Sequence, residues 1–164
     1  MRETICGLVL VALCGCGTMP SGGDGGSEGG GPIDRSGPGG FFLGTFTGDV
    51  RVLDGPTPDG ACGGPSELNA LAQVSITRRD GARLAIQWRV TGPAGDAARA
   101  RVADCTLGAT GDRQDTARVD TPVTCTVDGT PVAFARAEMS GGLDTLYLTM
   151  HGESVCVDFA GHTR

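Results

Sequence analysis

The strongest constraint on the fold is an alternation of apolar and polar residues with a period of two, which begins near Phe41 and recurs to the end of the chain. Side chains point alternately to the two faces of a strand, so each such run predicts a half-buried β-strand. In the first run the apolar positions on one parity are Phe42, Phe46, Val50 and Val52. The pattern therefore favours an all-β fold.

Short turns separate these runs. Asp80-Gly81 lies between the runs 72–79 and 82–91, and Asp-Gly in such a place favours a two-residue type I′ hairpin. Short connections join antiparallel neighbours, so we expect an antiparallel meander of about eight strands. Such a meander closes into an up-and-down barrel, which removes open edges. The alternative is a two-sheet β-sandwich, whose strands have the same pattern.

Three segments are less regular. The apolar residues of 65–72 have helical spacing, which predicts one helical turn, and the Ala- and Arg-rich segment 97–103 predicts another. The run 117–127 keeps one apolar parity through Pro122. This indicates a single strand that bends at the proline.

The first residues have a different character. A short start that carries Arg2 leads into nine mostly apolar residues, 5–13, and the chain then becomes rich in Gly, Ser, Pro, Asp and Glu. A charged start, an apolar run and a small residue before the cut are typical of a secretory signal. The apolar run is too short for a transmembrane anchor, because a hydrocarbon core requires about twenty residues.

The end of this run, Leu13-Cys14-Gly15-Cys16, resembles the lipobox of bacterial lipoproteins, in which the Cys after the cut receives a diacylglycerol. The resemblance implies that residues 1–15 are a signal peptide and that the mature protein begins at a lipidated Cys16. Acylation of Cys14 instead would place leucine where a small residue is expected. The resemblance also implies attachment to the outer membrane through the lipid, because Gly17 stands where an Asp would suggest the inner membrane. Whether the protein faces the periplasm or the surface stays open.

Residues 16–40 are predicted to be the lipidated cysteine and a disordered tether. Eleven of the 24 residues from 17 to 40 are glycine, and such a segment has too little apolar surface to fold. The tether either lets the following domain reach a partner or is slack without one. Residues 41–164 then form one domain by length.

Four cysteines lie in that domain, and an even number in an exported domain predicts two disulfides. Cys105 and Cys125 fall on the apolar parity of their strands, so we expect them to pair across the ladder. Cys62 is then left to pair with Cys156. The cysteines form no Cys-x-x-Cys motif, which disfavours a zinc site; no metal and no cofactor is predicted.

The segment Gly44-Thr45-Phe46 resembles the Gly-x-Trp motif on the first strand of lipocalins, with Phe in place of Trp. Arg164 lies where that superfamily carries a basic residue stacked on the ring. The resemblance implies a barrel with a ligand cavity at one mouth, and the alternative is a filled barrel. The aromatic residues that would line the cavity are Phe46, Trp88, Phe134 and Phe159.

The sequence shows no catalytic constellation. His151 and His162 are both expected to be solvated surface residues, and no Gly-x-Ser-x-Gly motif, calcium loop or phosphate-binding loop is present. The net charge is −6, and the thirteen basic residues, all Arg, are scattered, which disfavours nucleic acid as a partner. We therefore expect a non-catalytic module that contacts an envelope protein or a surface polymer. The alternative is a lipocalin-like carrier of a small apolar ligand.

The lipid anchor is tested by the Cys16→Ala variant. If the thiol of Cys16 carries the diacylglycerol, the variant loses its only hydrophobic attachment after signal cleavage, and it moves from the membrane to the soluble fraction. Fractionation followed by immunoblotting measures this shift. A variant that stays with the membrane contradicts the assignment.

Overall fold

The computed structural model describes residues 32–55, 62–63, 67–92 and 100–163. Within these ranges the chain forms ten β-strands in a single antiparallel sheet, preceded by a short 3₁₀ helix. The helix spans Gly40–Phe42. The strands are β1 (Gly44–Asp54), β2 (Glu67–Asp80), β3 (Arg83–Val90), β4 (Val102–Arg113), β5 (Thr116–Val119), β6 (Val123–Val127), β7 (Thr130–Phe134), β8 (Arg136–Gly141), β9 (Thr145–His151) and β10 (Val155–Thr163).

The sheet curls into a nearly closed barrel. Its strand order is β7-β6-β4-β3-β2-β1-β10-β9-β8, and β5 also pairs with β4. The barrel closes where β5, beside β4, packs against β8 at one end of this order. The predicted all-β antiparallel meander is therefore confirmed, and the architecture is a barrel rather than a sandwich.

Two of the runs expected as single strands are each divided in the structure. The run 117–127 breaks at a cis Thr121–Pro122 bond into β5 and β6, which both pair with β4. The alternating run 132–139, which the sequence also predicts as one strand, breaks at Ala135, where the chain leaves β7 on one edge of the sheet for β8 on the other. At the first break, Pro122 lacks the backbone N–H that a continuous ladder requires. These two divisions account for ten strands where about eight were expected.

The hairpin predicted at Asp80-Gly81 is present, with its turn displaced by one residue. Asp80 still pairs with Arg83, so the two connecting residues are Gly81 and Ala82. Gly81 has a φ of 49°, a left-handed conformation that glycine adopts without steric penalty. A β-bulge between Arg78 and Asp80 absorbs the shift in register.

The helical turn predicted over 65–72 is wrong for the residues that are described. Strand β2 begins at Glu67 and pairs with β1, with Leu68 opposite Arg51. Backbone hydrogen bonds to a neighbouring strand override a weak helical spacing of apolar side chains. Of the second predicted turn, residues 97–99 lie outside the described ranges, and β4 begins at Val102.

The packed domain begins earlier than Phe41. Arg78 donates hydrogen bonds to the carbonyl oxygens of Ser36 and Pro38, at 2.7 and 3.0 Å, and the side chains of Phe42 and Leu43 are buried. Residues 32–40, the last part of the predicted tether, therefore lie against the barrel. In the described part of the chain, no helix is long and apolar enough to cross a membrane.

The inward-facing side chains form one apolar core. Its largest members that are almost completely shielded from solvent are Phe42, Phe46, Phe134, Phe159, Ile76, Leu146, Leu148 and Met150. Burial of each such side chain stabilises the fold by about 1.5 to 3 kcal/mol. One glycine is essential to this packing, because the ring of Phe159 lies over Gly161 where a side chain would otherwise project.

A pair of glycine variants tests this packing. In Gly161→Ala the added methyl group meets the buried Phe159 ring and the Thr47 backbone, so we expect a loss of about 1 to 3 kcal/mol in the free energy of unfolding. At Gly142 a methyl group meets nothing within 4 Å, and Gly142→Ala should be neutral or slightly stabilising. Urea denaturation measures both values. Equal stability of the two variants would show that the Phe159 ring does not fill this space.

Candidate functional site

The outer face of β1, β10 and β9 carries two adjacent rows of polar and aromatic side chains. The first row consists of Asp49 on β1, Ala160 on β10 and Tyr147 on β9, which lie opposite one another. The second row, two residues along each strand, consists of Arg51, Asp158 and Thr149. All six positions have the parity that points away from the core. The register of three strands that are distant in sequence therefore assembles this surface.

These rows enclose a shallow depression of about 250 Å³, which we call the outer-face pocket. Tyr147 stands at its edge with 52% of its surface exposed. One carboxylate oxygen of Asp158, Oδ1, is buried and has no hydrogen-bond partner within the described ranges. The residues that line the pocket are Asp49, Arg51, Tyr147, Thr149, Asp158, Phe159 and Ala160.

The chemistry of the outer-face pocket is that of a binding surface with mixed polarity. The carboxylates of Asp49 and Asp158 accept hydrogen bonds, and the guanidinium of Arg51 donates them. The ring of Tyr147 adds apolar area next to a hydroxyl group, a combination that is enriched in protein interfaces. The outer-face pocket therefore offers a partner both hydrogen-bonding groups and an apolar ring.

A second, more apolar cleft of about 300 Å³ lies where the segment 32–43 meets β1 and β2. Ile33, which is 51% exposed, stands at its rim, with Leu43 and Ile76 on its walls. Asp34 is the acidic residue of this cleft. Hydrogen bonds from Ser36, first from its side chain and then from its backbone N–H, hold the pKa of the Asp34 carboxyl below its usual value.

The disulfides join Cys105 to Cys125, the pair expected from strand parity, and Cys62 to Cys156, the pair that this left over. Cys105 and Cys125 are directly opposite each other on β4 and β6. Cys62 instead crosses from the segment after β1 to the outer face of β10. Two disulfides fit a chain that resides outside the cytoplasm.

His151 belongs to the second of these bridges. Its Nδ1 lies 3.3 Å from Sγ of Cys62 and 3.9 Å from Sγ of Cys156, and its Nε2 is buried without a hydrogen-bond partner in the described part of the chain. The expectation that His151 is a solvated surface residue is therefore wrong, because the side chain is half-buried and its Nδ1 lies against the Cys62–Cys156 bridge. His162, in contrast, is exposed.

The four aromatic residues predicted to line a ligand cavity all lie in the core. Phe46, Phe134 and Phe159 are at most 2% exposed, and Trp88 is 9% exposed. The rings of Trp88 and Phe159 pack edge to face with their centres 5.6 Å apart, so these two side chains fill space against each other. The structure leaves the proposed cavity without direct support, and Cys16 and Arg164 lie outside the described residues.

Trp88 also faces a small depression. Its indole Nε1 is buried without a hydrogen-bond partner among the described residues, and the ring lines a pocket of about 280 Å³ together with Arg89, Val90, Ala103 and Asp104. Buried indole N–H groups usually find a partner. This depression brings the Trp88 ring to a concave surface.

Sequence reasoning did not find Tyr147, Asp158 or His151 as site residues. Each lies on the outward parity of its strand, which reads as an ordinary solvated face. Tyr147 and Asp158 are distinguished by a shared depression, and His151 by a neighbouring disulfide. Both features depend on which strands are adjacent. The adjacency of β9, β10 and β1 was the missing information.

Comparisons with known proteins give no relative that bears on this site: no protein-family model, curated protein or solved structure shows significant similarity to the chain.

The two disulfides differ in the length of chain that they enclose, and this difference predicts their effects on stability. Cys62 and Cys156 are 94 residues apart, whereas Cys105 and Cys125 are 20 apart. Because a disulfide lowers the entropy of the unfolded chain, the first bridge should raise the free energy of unfolding by about 4 to 5 kcal/mol and the second by about 3 kcal/mol. Urea denaturation of the two double variants, each with both cysteines changed to alanine, should show the larger loss for the first pair. The reverse order would contradict the chain-entropy account.

Proposed function

We propose that this chain is a lipid-anchored protein of the bacterial cell envelope whose barrel is a non-catalytic interaction module. The lipobox-like segment supports the anchor, the glycine-rich stretch up to about residue 31 serves as its tether, and the disulfides agree with an oxidising compartment. The module contacts an envelope protein or a surface polymer through the outer-face pocket.

The observation that carries this proposal is the outer-face pocket itself. It combines an exposed aromatic side chain, Tyr147, with the incompletely bonded carboxylate of Asp158 and the cation of Arg51. Aromatic and arginine side chains contribute most of the energy of many interfaces.

The packing of the core supports an external site rather than an internal one. Trp88 and Phe159, two of the four inward aromatic residues, contact each other edge to face. Two rings that pack against each other leave no room between them for a ligand. The outer surface is then the part of the barrel best suited to recognition.

The alternative function, a carrier of a small apolar ligand, is favoured by one observation. The unpaired Nε1 of Trp88 and the neighbouring pocket would suit a ligand with a hydrogen-bond acceptor at its polar end. We rank this function second, because the pocket is bordered by the charged residues Arg89 and Asp104.

Photo-crosslinking tests the interaction module. A photoreactive phenylalanine analogue replaces Tyr147 at the outer-face pocket, and in a matched control it replaces Gln87, which is exposed on the outer face of β3. Irradiation of cells that produce the chain should give adducts at position 147 that are absent at position 87. A discrete band indicates a protein partner, and a diffuse smear indicates a polymer.

A second variant connects the adduct with the chemistry of the pocket. Asp158→Ala removes the carboxylate and leaves Tyr147 in place, so we expect the yield at position 147 to fall severalfold. Adducts of equal yield at positions 147 and 87, or none at position 147, would contradict the proposed surface.

A further inference from the structure

We propose that Cys62, Cys156 and His151 form a redox-gated binding site for a thiophilic divalent cation such as Zn²⁺. In the disulfide form the two sulfur atoms are bonded to each other. In the dithiol form the two thiolates and Nδ1 of His151 hold the ion. We call these three residues the Cys-His cluster.

Three separate segments build the Cys-His cluster. Cys156 on β10 lies directly opposite His151 on β9, and both side chains have the outward parity. Cys62 reaches them from the segment between β1 and β2. The three potential ligand atoms all lie within 4.8 Å of one another, and it is the only such group among the described residues.

The distances suit tetrahedral coordination. With Zn–S bonds of about 2.3 Å and a Zn–N bond of about 2.05 Å, a tetrahedral ion places nitrogen about 3.6 Å from each sulfur. The observed distances from Nδ1 of His151 are 3.3 Å to Cys62 and 3.9 Å to Cys156. The imidazole is therefore already positioned, and the change needed is a separation of the two sulfurs to about 3.8 Å after the bond between them breaks. The Cα atoms are 5.8 Å apart, so rotation about the side-chain bonds can provide this separation.

The surroundings of His151 give a second, independent indication. Among the described residues its Nδ1 contacts the sulfur atoms of Cys62 and Cys156, which are weak hydrogen-bond partners, and its buried Nε2 has no partner there. A ring held in this way is poorly satisfied in the disulfide form. A cation on Nδ1 gives the ring the strong interaction that the sulfurs do not provide.

The other disulfide shows what the Cys-His cluster adds. Cys125 is completely buried and its Sγ lies 4.0 Å from Sδ of Met150, in the core. Within the described residues this bridge belongs to no group of histidine, cysteine and carboxylate ligands that could hold a metal ion. The two bridges of the same chain thus provide an internal comparison.

The chemistry balances with a dithiol as reductant. The dithiol transfers two electrons and two protons, the bond between Cys62 and Cys156 breaks to give two thiols, and the reductant becomes a disulfide. Binding of Zn²⁺ then displaces the two thiol protons and uses the lone pair of the neutral imidazole. Three protein ligands leave the fourth position to water or to an external donor.

Cobalt binding tests the site, because Co²⁺ occupies zinc sites and its thiolate complexes absorb in the near ultraviolet. The full chain in mild detergent is reduced with dithiothreitol, freed of reductant under nitrogen and titrated with CoCl₂. We expect one equivalent to bind, with thiolate-to-metal charge-transfer and tetrahedral d–d absorption, and no such signal from the oxidised chain. A reduced chain without these bands overturns the proposal.

Variants locate the signal. The double variant Cys62→Ser and Cys156→Ser retains the other cysteine pair and should lose the charge-transfer band. His151→Gln should weaken Co²⁺ binding at least about tenfold, whereas His162→Gln, at the exposed histidine, should bind as the unaltered chain does. An unchanged band in the double variant, or unchanged affinity in His151→Gln, contradicts the assignment.

Near-ultraviolet circular dichroism monitors the fold of every sample. We expect the reduced chain to keep its native spectrum or to regain it with Co²⁺. If reduction abolishes the spectrum and the metal does not restore it, the Cys-His cluster is a structural bridge and the proposal is wrong.

Discussion

The pairing of β1 with β10 is the interaction on which the rest of the structure depends. Nine residue pairs, from Phe46 opposite Thr163 to Asp54 opposite Val155, join the first strand to the last. Without this ladder, β1 to β7 and β8 to β10 would be two separate antiparallel meanders. The contact is costly to form, because it closes a loop of nearly the whole domain before it gains any energy. Once the ladder has formed, the two halves of the sheet enclose a single apolar core.

The same ladder creates the surfaces to which we assign function. It brings Asp49 and Arg51 beside Asp158 and Tyr147, and it gives the Cys62–Cys156 bridge a short path from the end of β1 to β10. The disulfide in turn holds Cys62 against the outer face of β10. The outer-face pocket, the bridge and closure of the fold are consequences of one strand pairing, while the inward faces of the same strands are occupied by Phe46, Phe159 and their neighbours.

Local sequence patterns predicted most of the fold. Alternation identified the inward residues, and the shared parity of Cys105 and Cys125 predicted their pairing. The break at Pro122 was missed because the apolar parity continues across it while the pairing of the strand changes. At Ala135 the inward positions change from Val132 and Phe134 to Ala137 and Met139, and this change of parity was not recognised as the end of a strand. His151, Tyr147 and Asp158 were missed for a different reason. On a single strand each is an outward polar or aromatic position, and only the register of β9, β10 and β1 brings them to a pocket or a bridge.

We propose that this barrel recognises its partner on the outside and holds no ligand within. The direct test is native mass spectrometry of the chain, purified from its own membrane without denaturant. We expect the mass of the lipidated chain alone, four hydrogens below that of the fully reduced form because of two disulfides. A small molecule that is retained by the native chain and lost from the Trp88→Ala variant would contradict it, and would make the aromatic interior the functional site.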